Sequence, residues 1–242
     1  MTVAEAALLD GGTGLPAGLP EDLAAASLVL ARRLHAGGTL WCAAPSWPHH
    51  AQHVAVEFVH PVIVGKPALP AVALPSHDLV TTARANVRSG DVLLVIGTAQ
   101  DPVARELVRR AAVWGAFALW IGAGPRPEAG AADCVLWLPE DEMAAHDGRF
   151  ILLYHLLWEL AHVCLEHGGL LAPPPDCDGP VCITCSDEGR LGEVLSASGS
   201  QARVRTADGV EDVDLSLVGQ ARPDDLLVVH AGMAITLLAG PA

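Results

Sequence analysis

The sequence predicts two folded units of different class, an α/β domain built on a parallel sheet and a small C-terminal β-barrel. Helix and strand patterns alternate over the first 171 residues, three consecutive prolines follow Ala172, and only strand-length segments come after them. We therefore place the α/β domain at residues 1–171, a proline-rich linker at 172–180 and the barrel at 181–242.

The α/β pattern begins where Pro20-Glu21-Asp22 opens a helix that we expect to stop at Gly37 and Gly38. A strand at 40–42, a helix around HHAQHVAVEFVH and the short run LPAVAL follow. The clearest unit is VLLVIG, then DPVARELVRRAAVWGA, then FALWIG, the strand–helix–strand pattern of a parallel sheet. VLWLP predicts one more strand and FILLYHLLWELAHVCLEH a long buried helix. The sheet is predicted to be doubly wound.

The C-terminal segments GRLGEVLSA, QARVRTA, EDVDLSLV and DDLLVVHAG are strand-length and are separated by Gly, Ser and Asp turns. About sixty residues of this kind favour a closed barrel, since closure leaves no open sheet edge. We expect a short C-terminal helix or extension after the last of them.

The composition limits the classes of function. Hydrophobic residues make up 51% of the chain and charged residues 17%, which excludes a disordered chain. The net charge of −14 argues against nucleic-acid binding. No apolar run reaches the roughly 18–20 residues that span a bilayer, and the first residues lack the positive charge of a signal peptide. We expect a cytoplasmic protein with no membrane span.

The six cysteines are expected to be reduced in such a protein. Three of them lie within nine residues: Cys177, Cys182 and Cys185. An alternative interpretation of these three is half of a zinc site, although no second cysteine pair follows them to complete it. The remaining cysteines sit in apolar surroundings and are expected to be buried thiols: Cys42, Cys134 and Cys164.

Two segments of the barrel carry motifs, Val181-Cys182-Ile183-Thr184-Cys185 and LLVVHAGMAITLL. They resemble the Met-Cys signature and the Val-His-x-Gly-x-Ala-Ile segment of the HypC/HupF family of hydrogenase-maturation chaperones. The resemblance implies a scaffold for the Fe(CN)2CO fragment of the nickel–iron cofactor. It also implies two partners, a HypD-like protein and the hydrogenase large-subunit precursor.

Cys182 and His230 are the residues to which the resemblance assigns the binding of this iron fragment. A thiolate suits low-spin iron, and an imidazole can complete an open site. In the family the cysteine stands near the amino terminus, whereas here a domain precedes it. The alternative is that Cys182 is a buried thiol and His230 a hydrogen-bonded strand residue.

The first domain contains the segments AQHVAVE, GKPALPAVAL and GDVLLVIGTAQDPVARELV, in that order. Their resemblance is to the phosphoheptose isomerases of the sugar isomerase (SIS) superfamily. It implies a three-layer α/β/α sandwich, phosphosugar binding through serine- and threonine-rich loops, and a homodimer. Those loops read Ala43–Pro48 and Gly97–Pro102 here and keep only Ser46 and Thr98, while Asp101 would repel a phosphate at a helix N-terminus.

A metal site is the second feature that the SIS resemblance implies. His53 and Glu57 are spaced i, i+4 on one helix face, and His162 stands at the position of a family active-site histidine. Together they are candidate ligands for Zn²⁺ with one position open. The alternative is that two polar stripes are only solvent-exposed helix faces. One stripe consists of His49, His53, Glu57 and His60, and the other of His155, Glu159, His162 and Glu166.

The main functional hypothesis is a nickel–iron hydrogenase assembly chaperone. Its SIS domain would serve dimerisation or the binding of a partner or metabolite. The alternative is a phosphoheptose isomerase-like protein with an accessory barrel, and a third hypothesis is a non-catalytic interaction module. No catalytic residue is assigned, because neither a nucleotide-binding motif nor a GxSxG elbow is present in the sequence.

Overall fold

The computed structural model describes residue 16 and residues 18–138, 148–172 and 189–238. Contacts divide the described chain into two compact units. The first takes the described residues of 1–86, 90–109 and 117–172, and the second those of 87–89, 110–116 and 173–242. Apart from Ala172, the predicted linker at 172–180 lies outside the described residues.

The first unit is an α/β fold on a five-stranded parallel sheet of order β2-β1-β3-β4-β5. The strands are β1 Leu40–Ala43, β2 Ala71–Ala73, β3 Val92–Ile96, β4 Phe117–Ala123 and β5 Cys134–Leu138. The helices are α1 Leu19–His35, α2 Pro48–Val59, α3 Leu79–Asn86, α4 Pro102–Ala111 and α5 Arg149–Glu166, and a 3-10 turn covers Gly168–Leu170.

The sheet is buried on both faces, which explains its continuous apolar strands. Every residue of β3 is buried. Val92, Leu94 and Ile96 pack into one core with α1, α2 and α5, whereas the alternate residues Leu93 and Val95 lie outside that core. Parallel strands covered on both sides are expected to be apolar throughout. The predicted parallel α/β class is confirmed.

Helix α1 begins and ends where the sequence pattern placed it. A proline in the first turn costs no hydrogen bond, and Glu21 and Asp22 in that turn complement the positive end of the helix dipole. Gly37 follows the helix with a φ of 94°, a conformation that favours glycine. Helix α3 was not predicted, because it has only eight residues and only Leu79 and Ala83 of it are buried.

The C-terminal strands form a closed barrel of order β10-β8-β7-β6-β9. They are β6 Arg190–Ser198, β7 Gln201–Thr206, β8 Gly209–Asp214, β9 Leu226–His230 and β10 Met233–Leu238. All pairings are antiparallel except the single β8–β10 bridge. The core includes Val194, Val204, Val213, Val229 and Ala234. The predicted barrel is therefore confirmed.

One expectation about the barrel is corrected. The residues after DDLLVVHAG, expected to be a helix or extension, form strand β10. Met233 pairs with His230 and Leu238 pairs with Leu226, so β10 completes the barrel beside β9. The segment MAITLL lacks a strict alternation because a register shift falls between Ala234 and Thr236.

No helix among the described residues is long and apolar enough to cross a bilayer.

Candidate functional site

Three side chains that can bind a metal converge between α2 and α5. His53 and Glu57 lie one turn apart on α2, and His155 projects from α5. Nε2 of His53 is 3.2 Å from Oε1 of Glu57 and 3.3 Å from Nε2 of His155. Nε2 of His155 is 3.7 Å from the same Glu57 oxygen. We call these three residues the His-Glu-His cluster.

The spacing of the three donor atoms suits a small divalent ion. Zinc ligands bound at about 2.0–2.2 Å in a tetrahedron lie roughly 3.3–3.6 Å from one another. The separations of 3.2, 3.3 and 3.7 Å fall close to that range. The side chains of His53 and His155 are 36% and 43% exposed, so the cluster is open to solvent. Its residues therefore fit a metal ion without rearrangement of the helices.

Tyr154 and His50 lie behind the cluster in the core. The Tyr154 hydroxyl is 3.1 Å from Nδ1 of His53 and 3.3 Å from Nδ1 of His50. Tyr154 is 1% exposed, and burial, together with the charge of Glu57, raises the pKa of its phenol. The phenol stays protonated and has one hydrogen to donate. When it accepts a hydrogen bond from Nδ1–H of His53, Nε2 of that ring keeps a free lone pair on the Glu57 side.

The electrostatics of the cluster also favour metal binding. Burial lowers the pKa of His155 below its ordinary value; the Glu57 charge opposes this shift and His53 adds to it. The His155 imidazole is consequently neutral at neutral pH, and the neutral ring is the form that binds metals.

His162, which the sequence predicted as the third ligand, lies elsewhere. It is fully buried, with Nδ1 3.0 Å from the Trp158 carbonyl oxygen and Nε2 3.2 Å from that of Pro67. It is seven residues beyond His155, which is about 10 Å along a helix. The structure thus brings His53 and Glu57 together with His155 and not with His162. His155 belongs to the polar stripe seen in the sequence, and that stripe was the signal for it.

The second set of predicted residues lies at the carboxyl ends of β1 and β3. In a sheet of order 2-1-3-4-5, this is where the strand order reverses and where ligands of doubly wound folds bind. Ser46 follows β1 and its hydroxyl donates to Oδ2 of Asp101 at 2.9 Å. Oδ1 of Asp101 accepts from the backbone N–H groups of Val103 and Ala104, at 2.9 and 3.1 Å. Asp101 therefore caps helix α4 with its own carboxylate.

Thr98, the other hydroxyl that the loops retain, is half-buried, and its carbonyl oxygen accepts from the Asp101 N–H at 3.2 Å. Its neighbour Gly97 is contacted by an indole, because Nε1 of Trp120 donates to the Gly97 carbonyl at 3.1 Å. Trp137 packs edge-on against Trp120 and donates to the Gly124 carbonyl at 2.8 Å. Both indoles are buried, so they occupy space beside the ends of β3 and β4.

In the barrel, His230 is the last residue of β9 and is half-buried. Ala231 and Gly232 then turn the chain into β10 with positive φ angles of 48° and 78°. Cys182, Cys177 and Cys185 lie outside the described residues. The assignment of Cys182 and His230 to the binding of the iron fragment therefore stays a prediction.

Comparison with solved structures identifies the fold of the first unit. A phosphoheptose isomerase from Francisella tularensis matches with a TM-score of 0.54 and 21% identity, over 66% of this chain and 91% of that chain. A protein of E. coli CFT073, solved in complex with a ligand, matches with a TM-score of 0.47 and 13% identity, over 69% and 85% of the two chains. No protein-family model and no curated protein matches the sequence. The α/β unit has the fold of that phosphoheptose isomerase.

Proposed function

We propose that the α/β domain binds a divalent metal ion through the His-Glu-His cluster and acts on a sugar ligand in the manner of a phosphoheptose isomerase. One observation carries the proposal, the convergence of the donor atoms of His53, Glu57 and His155 within 3.2–3.7 Å. The SIS fold supports the sugar as the class of ligand, because the solved structures of this fold include a phosphoheptose isomerase.

The donor set is of the catalytic rather than the structural type. Two imidazoles and one carboxylate leave a fourth tetrahedral position for water or substrate. A metal bound there would polarise a carbonyl or hydroxyl oxygen of a sugar. The protein supplies the rest: Tyr154 fixes the orientation of His53, and partial burial keeps His155 neutral. The partial exposure of both histidines lets a ligand reach them.

The first test is calorimetry of metal-free protein with Zn²⁺ alone, comparing wild type, His155→Ala and His60→Ala. His60 is the matched control, because it is an exposed histidine at the end of α2 outside the cluster. Removing His155 should weaken binding at least about tenfold, a loss typical of metal-site substitutions. Equal affinities for wild type and His155→Ala would refute the site.

The second test asks for activity. The zinc-loaded protein is incubated with ketoses and aldoses, free and phosphorylated, and the products are resolved by NMR. Isomer interconversion in wild type and its loss in Glu57→Gln are the expected result. Zinc binding without turnover of any sugar would leave a metal site and refute isomerase activity.

A second candidate function concerns the C-terminal unit, which we propose to be a carrier or docking module for the Fe(CN)2CO fragment in nickel–iron hydrogenase assembly. The specific observation in its favour is the closed five-stranded barrel, in which LLVVHAGMAITLL forms the β9–β10 hairpin with His230 at its turn. The HypC/HupF resemblance rests in part on this same segment. Cys182 and His230 would bind the fragment, and a HypD-like protein and the large-subunit precursor would be the partners. A homodimer formed by the α/β domain would present two such barrels.

The test of this candidate is infrared spectroscopy of the full chain purified without oxygen from its host. Bands of iron-bound cyanide and carbon monoxide are expected in wild type and absent in Cys182→Ala. Cys177→Ala is the matched control, because it removes a neighbouring thiol that the resemblance does not assign. Equal bands in wild type and Cys182→Ala would refute the role of Cys182. Silent spectra, with no maturation partner co-purifying, would refute the candidate as a whole.

A further inference from the structure

We propose that the α/β domain has a second ligand site, a cavity beside α1 that binds a small organic amine with an apolar body. The cavity has a volume of about 530 Å³, within the roughly 300–1,000 Å³ that small-molecule sites occupy. We call it the α1 cavity. None of the three residues of the His-Glu-His cluster lines it. The proposal is therefore independent of the proposed function, and each can fail without the other.

The α1 cavity lies at the amino ends of β4 and β5. Loop 124–133 carries the chain from the end of β4 back to the start of β5 without a helix, and it forms one wall. Helix α1 forms another, because Asp22, Ala26 and Val29 follow one another at intervals of about one turn on the same helix face. The first residues of the two strands complete the lining: Phe117, Cys134 and Val135. Since the sheet is parallel, this edge is opposite to the one where the loops after β1 and β3 begin.

Apolar side chains give the α1 cavity a surface that an apolar ligand can cover. Ala25 is exposed, and Val29, Phe117 and Val135 are half-buried, so part of the apolar lining remains in contact with solvent. A ligand with an apolar body would remove this surface from water, which is favourable. The alanines of α1 leave the space that such a body needs, and a larger side chain at position 25 would occupy it.

The charged residues of the lining determine which ligand charge is favoured. Three carboxylates and one guanidinium give the cavity a formal charge of −2: Asp22, Glu128, Asp133 and Arg126. Nη2 of Arg126 lies 3.6 Å from Oδ2 of Asp22. The Glu128 carboxylate has neither a hydrogen bond nor an ion pair with any residue that the structure describes. An ammonium group can donate three hydrogen bonds to such carboxylates, whereas an anionic ligand would be repelled.

The thiol of Cys134 responds to the same negative charges. Burial raises its pKa to about 11, and the charges of Asp22 and Asp133 add to the rise while Arg126 opposes it. Its Sγ lies 3.7 Å from the Asp22 carbonyl oxygen, to which the S–H donates. The lining therefore disfavours an anion within the α1 cavity, which is the environment that favours a cation.

The test is a titration of the full chain with 2-phenylethylamine, followed through the amide resonances of Val29 and Gly130, which line the cavity. Two control ligands keep the apolar body and change its charge. 2-Phenylethanol is neutral, and 3-phenylpropionate is an anion.

Two variants separate the apolar space from the charge. Ala25→Leu fills the cavity, and Ala24→Leu is its matched control, because Ala24 is exposed on the same helix and does not line the cavity. Glu128→Gln removes one lining carboxylate. Its matched control is Asp78→Asn, which removes an exposed carboxylate outside the cavity.

The amine should bind wild type with a Kd of about 1 mM or lower, and at least about fivefold more tightly than either control ligand. Ala25→Leu should abolish the shifts and Glu128→Gln should weaken binding about fivefold, whereas both control variants should bind as wild type does.

Equal binding of the alcohol and the amine would overturn the assignment of a cationic ligand. Absence of shifts in wild type would overturn the site, including the case in which another part of the chain or a second copy already covers the cavity. Zinc affinity is measured on the same samples and should be unchanged in Ala25→Leu, so failure of the metal site is recognised separately.

Discussion

Replacing Tyr154 by phenylalanine removes one oxygen atom and tests whether the core behind the His-Glu-His cluster tunes metal binding. The ring of Tyr154 stays in place, since it is buried in the core with α1 and α2. The substitution removes the contacts of the Tyr154 hydroxyl with Nδ1 of His53 at 3.1 Å and with Nδ1 of His50 at 3.3 Å. Each hydrogen bond contributes about 0.5–1.5 kcal/mol, so the free energy of unfolding of the apo protein should fall by about 1–3 kcal/mol.

The effect on the metal is separate from the effect on the fold. Losing the partner of a ligating histidine costs about 10–100-fold in metal affinity. At a free zinc concentration one hundred times the wild-type Kd, zinc should stabilise wild type by about 2.7 kcal/mol. The same concentration should stabilise Tyr154→Phe by only about 0.4–1.4 kcal/mol. Urea unfolding with and without zinc measures both quantities.

Ser27→Ala is the matched control for this experiment. Ser27 is fully buried on α1 and donates one hydrogen bond to the Leu23 carbonyl, away from the cluster. Its loss should leave the zinc-induced gain unchanged. If Tyr154→Phe also keeps the full zinc-induced gain, Tyr154 is a packing residue, and the argument that it orients His53 is refuted.

Two further outcomes follow from the half-buried thiol of Cys134 and from the packing at Gly122 in the α/β domain. Burial raises the pKa of the Cys134 thiol to about 11. At pH 8 the Cys134 peptide should therefore be alkylated about 100-fold more slowly than an exposed cysteine, and its rate should rise up to pH 11. A rate that stops rising near pH 9 would contradict this. A Cβ added at Gly122 would overlap the buried Trp137 ring, so Gly122→Ala should cost about 1–3 kcal/mol of unfolding free energy in urea. Gly168→Ala, whose Cβ meets no atom within 4 Å, should change it by less than about 0.5 kcal/mol, and equal costs would refute the packing argument.

Much of the fold was predictable because periodicity and turn residues act locally. The all-apolar run VLLVI predicted a strand covered on both faces, and β3 is buried at every position. Pro20, Glu21 and Asp22 marked the start of α1. Helix α3 was not predicted, because its two buried residues are too few to give a recognisable apolar stripe. Strand β10 was not predicted, because its register shift interrupts the alternation of buried and exposed residues on which strand prediction depends.

The candidate site was only partly predictable. The spacing of His53 and Glu57 is a property of one helix, and the i, i+4 rule places both on one face without reference to anything else. The third residue depends on the angle and register at which α5 meets α2. One stripe of α5 offers both His155 and His162, and only packing selects His155 for the cluster while His162 faces the carbonyls of Trp158 and Pro67.

The sequence by itself determined the two fold classes, the pair of candidate ligands on α2 and the small number of hydroxyl side chains in the two loops, because each of these depends only on residues close together in the chain. Tertiary structure alone decided that His155 joins His53 and Glu57 and that Ser46 meets Asp101. These partners are 102 and 55 residues apart in the chain. No local pattern encodes such a contact, since it exists only when helices and strand ends from separate parts of the chain are packed on one sheet.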